Sequence, residues 1–383
     1  MPIDLSSVIS GVTDANEAKT VSVRGSVFID SSAPIDLQSF ILEAFASDSE
    51  FVHIDFVYIP QSDIEITEEC DFAIFVAGLN EDIGKHINGI SAIGVDVAAV
   101  TTMPRLVFEI AENSGHAIAE EQIISVQPHK SIIELRPRID FVEPYFLDEK
   151  LTEDLEYALG KWLIESSEKS YTYALNFKFA KRPFCMLSAS SAALKNAAVG
   201  FSPLIPGADL PAITINQLQL ISKIAFVYNS DISASRLYDL AFLLANAFYS
   251  RSVARKLVGA VPAISWVSKA SVAACSTNFL ARIAITYYEG GANLASVESV
   301  IYGALQKALN AVFFVKTCLE NSEFASVVFA NFTAKIVAKL NALLSFAEQL
   351  YKGLLSAAEE IVPTIKRITS SSKEDDADKL EKP

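Results

Sequence analysis

The run Gly78-Leu79-Asn80-Glu81-Asp82-Ile83-Gly84-Lys85-His86 comes nearest in this chain to a loop that could hold a phosphate. A G-x-x-x-x-G-K-[S/T] loop cradles phosphates with its backbone N–H groups, reaches them with its lysine and binds magnesium through its hydroxyl. Here one residue too many separates the glycines, and His86 stands where the hydroxyl belongs. The run also follows the wrong strand. The first apolar run, which should lead to the phosphates, continues into Phe28-Ile29-Asp30-Ser31-Ser32-Ala33-Pro34, with a single glycine, Gly25, no lysine, and the acidic Asp30 where phosphate would come. A later run reaches Thr101-Thr102-Met103-Pro104 where a guanine-reading Asn-Lys-x-Asp would be expected. An ordinary helix-start loop is therefore the reading of 78–86. Only position favours a ligand: loops at the carboxyl ends of parallel strands form the usual crevice, which Gly25, Gly78 and Thr101 would line. No cofactor is expected.

Other reactive arrangements fare no better. Gly89-Ile90-Ser91-Ala92-Ile93-Gly94 has one residue too many for a nucleophile elbow, and its serine falls in a helix, so Asp96 and His116 complete a triad only on paper. His53, His86, His116 and His129 are scattered without the spacing of a zinc site. Glu68, Glu69 and Asp71 form an acidic cluster that reads as a solvated turn rather than a cation site. Cys70, Cys185, Cys275 and Cys318 lie far apart, which suggests neither a disulfide framework nor a metal centre and fits a reducing cytoplasm.

The elements that would position these residues change character along the chain. Val21–Val27, Phe51–Ile59, Asp71–Ala77, Val95–Thr101 and Gln122–Val126 read as strands, alternating with helices at Asp36–Ala46, Ile83–Ile93 and Arg105–Asn113. Short apolar strands separated by helices argue for a three-layer α/β domain with a parallel sheet, a Rossmann-like or GTPase-like layout over residues 1–130. Residues 131–150, with Pro137 and Pro144, read as a connector. Residues 151–369 read as an all-α domain, through Leu151–Phe179, Phe184–Val199, Pro211–Tyr228, Ser233–Phe248, Val253–Tyr288, Asn293–Leu319 and Glu323–Thr369. Residues 370–383 form a charged tail expected to be disordered.

Within the helical part, Leu204-Ile205-Pro206-Gly207-Ala208-Asp209-Leu210-Pro211 sets a turn and a helix start. It is followed by Ser233-Ala234-Ser235-Arg236-Leu237, Arg251-Ser252-Val253-Ala254-Arg255, Val261-Pro262-Ala263-Ile264-Ser265-Trp266, Thr277 and Ile285-Thr286-Tyr287-Tyr288-Glu289. From Pro206 to about Gly291 this order of motifs resembles the YcjF-like domain of unknown function, in its actinobacterial form. Two departures stand out: Tyr228-Asn229 replaces the family's Tyr-Gly, and the glycine usual near Ser265 is missing. The resemblance implies a bacterial protein in or beside a membrane, of unsettled biochemical role, with a GTPase as an accompanying domain or partner.

Charge is uneven. Residues 1–150 hold 8 Lys and Arg against 26 Asp and Glu, net −18, within a total of 31 against 46. Residues 161–369 hold 20 against 12, net +8. Such a dipolar chain can dock its own two halves, or present the basic half to an anionic membrane surface or an acidic protein partner, whereas an overall net charge of −15 without interleaved basic and aromatic residues argues against nucleic acid. Two basic clusters, Lys178, Lys181 and Arg182, then Arg251, Arg255 and Lys256, precede the apolar stretches Pro183–Ile205 and Leu257–Leu280. Lys195 and Lys269 interrupt those stretches, so buried helices with basic clusters at headgroup level are favoured over spans. Met1-Pro2-Ile3-Asp4 lacks the basic and apolar regions of a signal peptide, and a cytoplasmic, membrane-associated location is expected. The function expected is a non-catalytic interaction or regulatory module with a pseudo-GTPase-like first domain. Its alternatives are a nucleotide hydrolase using Gly25–Pro34 or Gly78–Lys85, and a soluble scaffold that binds an acidic protein.

Overall fold

A computed structural model describes residues 17–59, 69–126, 143, 146–201, 209–228 and 265–290. Five strands, β1 (Val23–Asp30), β2 (Val52–Ile59), β3 (Phe72–Val76), β4 (Asp96–Thr101) and β5 (Ile123–Ser125), form one sheet in the order β2-β1-β3-β4-β5. Every pairing is parallel. Helices α1 (Ile35–Ala44), α2 (Ile83–Ala92) and α3 (Pro104–Asn113) make the crossovers after β1, β3 and β4. This is a doubly wound order, whose switch point lies between β1 and β3.

Burial on both faces explains the strand sequences. Phe72–Val76 is buried at every position, as a central parallel strand requires. One face, with Phe28, Ala73, Phe75, Val97 and Ala99, packs on Ile83, Ile87 and Ile90 of α2 and Val107 and Ala111 of α3. The other face receives Phe45, just past α1, stacked on Phe72 at 5.5 Å. Gly94 and Gly115, at φ of 84° and 80°, follow the ends of α2 and α3 in the left-handed conformation that stops a helix cheaply only at glycine.

Beyond the sheet come α4 (Glu149–Ser166), α5 (Ser170–Asn176), α6 (Lys178–Phe201), α7 (Asp209–Val227) and α8 (Ser265–Glu289). Asp148 caps α4 by accepting from Leu151 N at 2.8 Å. The expected single helix over Leu151–Phe179 is broken at Ser167 and Phe177, whose extended backbone separates α4, α5 and α6. The helices expected over Ser233–Phe248, Asn293–Leu319 and Glu323–Thr369, and the tail, lie outside the described residues.

The chain divides into two compact units, Met1–Ser191 with Gln219–Ser230, and Ala192–Leu218 with Asp231–Pro383. The division does not fall in the connector: α4, α5 and parts of α6 and α7 belong with the sheet. Aromatic packing is the physical reason. Phe45 meets Phe177 and Phe179 edge-on at 5.4 and 5.1 Å, and Phe72 meets Tyr173 at 5.6 Å, so the amino-terminal end of the sheet and α5 share one core. Lys169 Nζ fastens the same end by donating to Asp71 Oδ1 at 2.6 Å and to the Ser22 carbonyl at 2.9 Å. In the second unit, Thr277 of α8 accepts from Asn196 of α6 at 2.9 Å and from Gln217 of α7 at 3.1 Å, with all three side chains fully buried.

Candidate functional site

The carboxyl ends of β1 and β3 are where an open α/β sheet ordinarily binds its ligand. Asp30, the last residue of β1 and only 5% exposed, occupies that position. Its Oδ1 accepts from Ser32 N at 2.9 Å, and its Oδ2 accepts from Ser32 Oγ at 2.8 Å, Gly78 N at 3.0 Å and Asn80 N at 3.1 Å. Three backbone N–H groups from two loops thus converge on one carboxylate. That is the arrangement a phosphate oxygen would receive, with the protein's own anion in its place. Ser32 Oγ in turn accepts from Leu79 N at 2.7 Å, and a Cβ at Gly78 would collide with Ser32 and with the Ala33 nitrogen. The β1 and β3 loops therefore close on one another backbone to backbone.

A second N–H cluster at this end is filled in the same way. The first turn of α3 presents Arg105 N and Leu106 N, which donate to Glu143 Oε1 at 2.6 Å and Oε2 at 3.3 Å. Burial raises the Glu143 carboxyl above the ordinary glutamate value of 4.5, against the opposing pull of these two hydrogen bonds and of Arg105. Asp36, in the first turn of α1, accepts from its neighbour Leu37 N at 3.1 Å and from Leu147 N at 2.6 Å. Glu143 and Leu147 thus stitch the chain preceding α4 to the starts of α3 and α1.

The residues expected to line the crevice do not come together. Gly78 is in it, and Thr101, fully buried at the end of β4, accepts from Met103 N at 3.0 Å. Gly25 is not. It pairs with Phe72, the first residue of β3, and with Ile54, so it lies toward the amino-terminal end, where a Cβ would strike the Phe72 ring. Glycine at 25 serves ring packing against the sheet. His86 lies parallel to the Phe75 ring at 6.2 Å, with burial lowering its pKa. Ser91 stands in the last turn of α2 and Asp96 opens β4, so the serine ends a helix and no nucleophile elbow forms. Glu69 pairs with Arg24, and Asp71 is held by Lys169 and by Arg24 N at 2.9 Å. Among the described residues no group of His, Cys, Asp and Glu is placed to hold a metal ion.

No family model, curated protein or solved structure matches this chain significantly.

Of the basic residues expected to face a membrane or a partner, Lys178 and Arg182 are exposed at the start of α6. Lys181 is half-buried, its Nζ 5.9 Å from the centre of the Tyr228 ring, and desolvation lowers its pKa. Arg251, Arg255 and Lys256 lie outside the described residues. No helix among the described residues is long and apolar enough to cross a membrane. Two features escaped the sequence reading. Asp30 was seen only as unfavourable to phosphate, not as the acceptor joining two loops; a carboxylate closing a buried strand, with a Gly-x-Asn after a parallel neighbour, is the signal. Glu143 gives no such signal, because its partners lie 38 and 37 residues away in sequence.

Proposed function

We propose that this protein is a non-catalytic interaction module whose α/β unit has the layout of a nucleotide-binding domain without its use. The observation that carries this reading is Asp30: its carboxylate already takes the N–H groups that a phosphate would need. Displacing it would expose a buried charge to an incoming anion, and like charges repel at close range. Phosphate release from GTP or ATP should accordingly stay at the level of a protein-free blank, and turnover lost on Lys85→Ala would overturn the reading.

Association with an anionic membrane is part of the same proposal. Lys178 and Arg182 support it, exposed within one turn of each other at the start of α6. Basic residues near an anionic surface contribute about 1 kcal/mol each, so this pair needs help from Arg251, Arg255 and Lys256 to hold the protein there. Sedimentation with vesicles containing phosphatidylserine should recover the protein in the pellet at low salt and release it at high salt. Equal recovery with neutral vesicles would count against an electrostatic attachment.

A further inference from the structure

The surface around the closed crevice is apolar where a nucleotide site would be polar. Ile35, Phe146 and Leu79 are 80%, 72% and 51% exposed. Hydrogen bonds gather all three about the start of α1. Leu79 N donates to Ser32 Oγ, three residues before Ile35, and Leu147 N, next to Phe146, donates to Asp36, the residue after Ile35. Tyr58, 51% exposed, pairs with Ile29 near the same end of the sheet, on edge strand β2. Exposed large apolar side chains are ordinary when scattered, but clustered at one end of a sheet they mark a contact surface. The fringe is acidic: Asp36 at the start of α1, the exposed Glu81 and Asp82 after Leu79, and the exposed Asp148 and Glu149 after Phe146, with Lys85 and Lys150 the nearest cations in sequence.

We infer that Ile35, Leu79 and Phe146 form a docking surface for a segment of another protein that carries apolar side chains flanked by lysine or arginine. Charge complementarity selects this occupant. The surface belongs to a stretch with 8 basic and 26 acidic residues, so it repels an anionic membrane and the same stretch of a second copy, and it attracts lysine and arginine. The inference rests on the non-catalytic reading, since a crevice open to nucleotide would place a ligand where the partner should lie.

The test uses the full chain and a labelled helical peptide of leucine and lysine at amphipathic spacing, followed by fluorescence anisotropy, beside the same peptide with glutamate for lysine. Binding of the lysine peptide should weaken with salt and fall about tenfold or more in the combined Ile35→Ser, Leu79→Ser and Phe146→Ser variant. Ile93→Ser, an exposed apolar position at the far end of α2, should leave binding unchanged. Circular dichroism confirms that the triple variant folds; if it does not, the three single variants are read instead, each expected to bind more weakly. Undiminished affinity in the variants, equal binding of the glutamate peptide, or a dimer of the chain that the substitutions dissolve would each overturn the inference. Repeating the titration with magnesium GTP separates the two claims: nucleotide binding alongside intact peptide binding would sink the non-catalytic reading alone.

Discussion

Replacing Asp30 by Ala leaves the N–H groups of Ser32, Gly78 and Asn80 without their acceptor in a closed, buried place. Unsatisfied buried donors are costly, and the substitution should destabilise the protein by about 2–4 kcal/mol in denaturant unfolding. Asp30→Asn retains one acceptor oxygen and should cost less. Equal stability of Asp30→Ala and wild type would show that the loops do not depend on this carboxylate. Glu143 offers a pH signature. Its pKa is raised in the folded state, so the native protein holds this proton more tightly than the unfolded chain does. The associated stability is complete below the ordinary glutamate value of 4.5 and is lost as pH rises through the raised folded value. Against Glu143→Gln, wild type should therefore lose relative stability as pH rises above the ordinary glutamate value of 4.5 in parallel urea titrations. A difference that is flat with pH would contradict the burial of this group.

At the scale of elements, the aromatic cluster joining the sheet to α5 should matter more than any charge on the surface. Phe45 touches Phe72, Phe177 and Phe179 and is 1% exposed, so Phe45→Ala should cost about 3–5 kcal/mol. Loss of under 1 kcal/mol in denaturant unfolding would mean that α5 and the sheet do not share a core. The sheet was legible in the sequence because its strands are buried on both faces: the apolar runs at 71–77 and 95–101 enclose β3 and β4 to within a residue at each end. The helices expected over 83–93 and 105–113 lie within a residue of α2 and α3 at each end for equally local reasons, since Gly94 follows one and Pro104 opens the other. The strand order was not legible, because it depends on pairings such as Gly25 with Phe72, 47 residues apart. That same pairing moved Gly25 out of the crevice. The attachment of α4 and α5 to the sheet was missed because it is made by aromatic side chains, which helical periodicity alone does not assign to a partner.

Across the whole molecule, the filled crevice and the acidic, apolar surface around it are what the proposal of a protein that recognises rather than reacts rests on. Its layout is that of a ligand-binding sheet, yet Asp30 and Glu143 take the N–H groups at the carboxyl end that make such a sheet useful to anions. The measurement that bears most directly on this claim is calorimetric titration of the full chain with magnesium GTP, magnesium ATP and inorganic phosphate in turn. No binding heat should appear with any of them at millimolar ligand. Micromolar affinity for a nucleotide, abolished by Lys85→Ala, would mean that the loop of residues 78–86 opens to phosphate and that Asp30 yields its place, which contradicts the account.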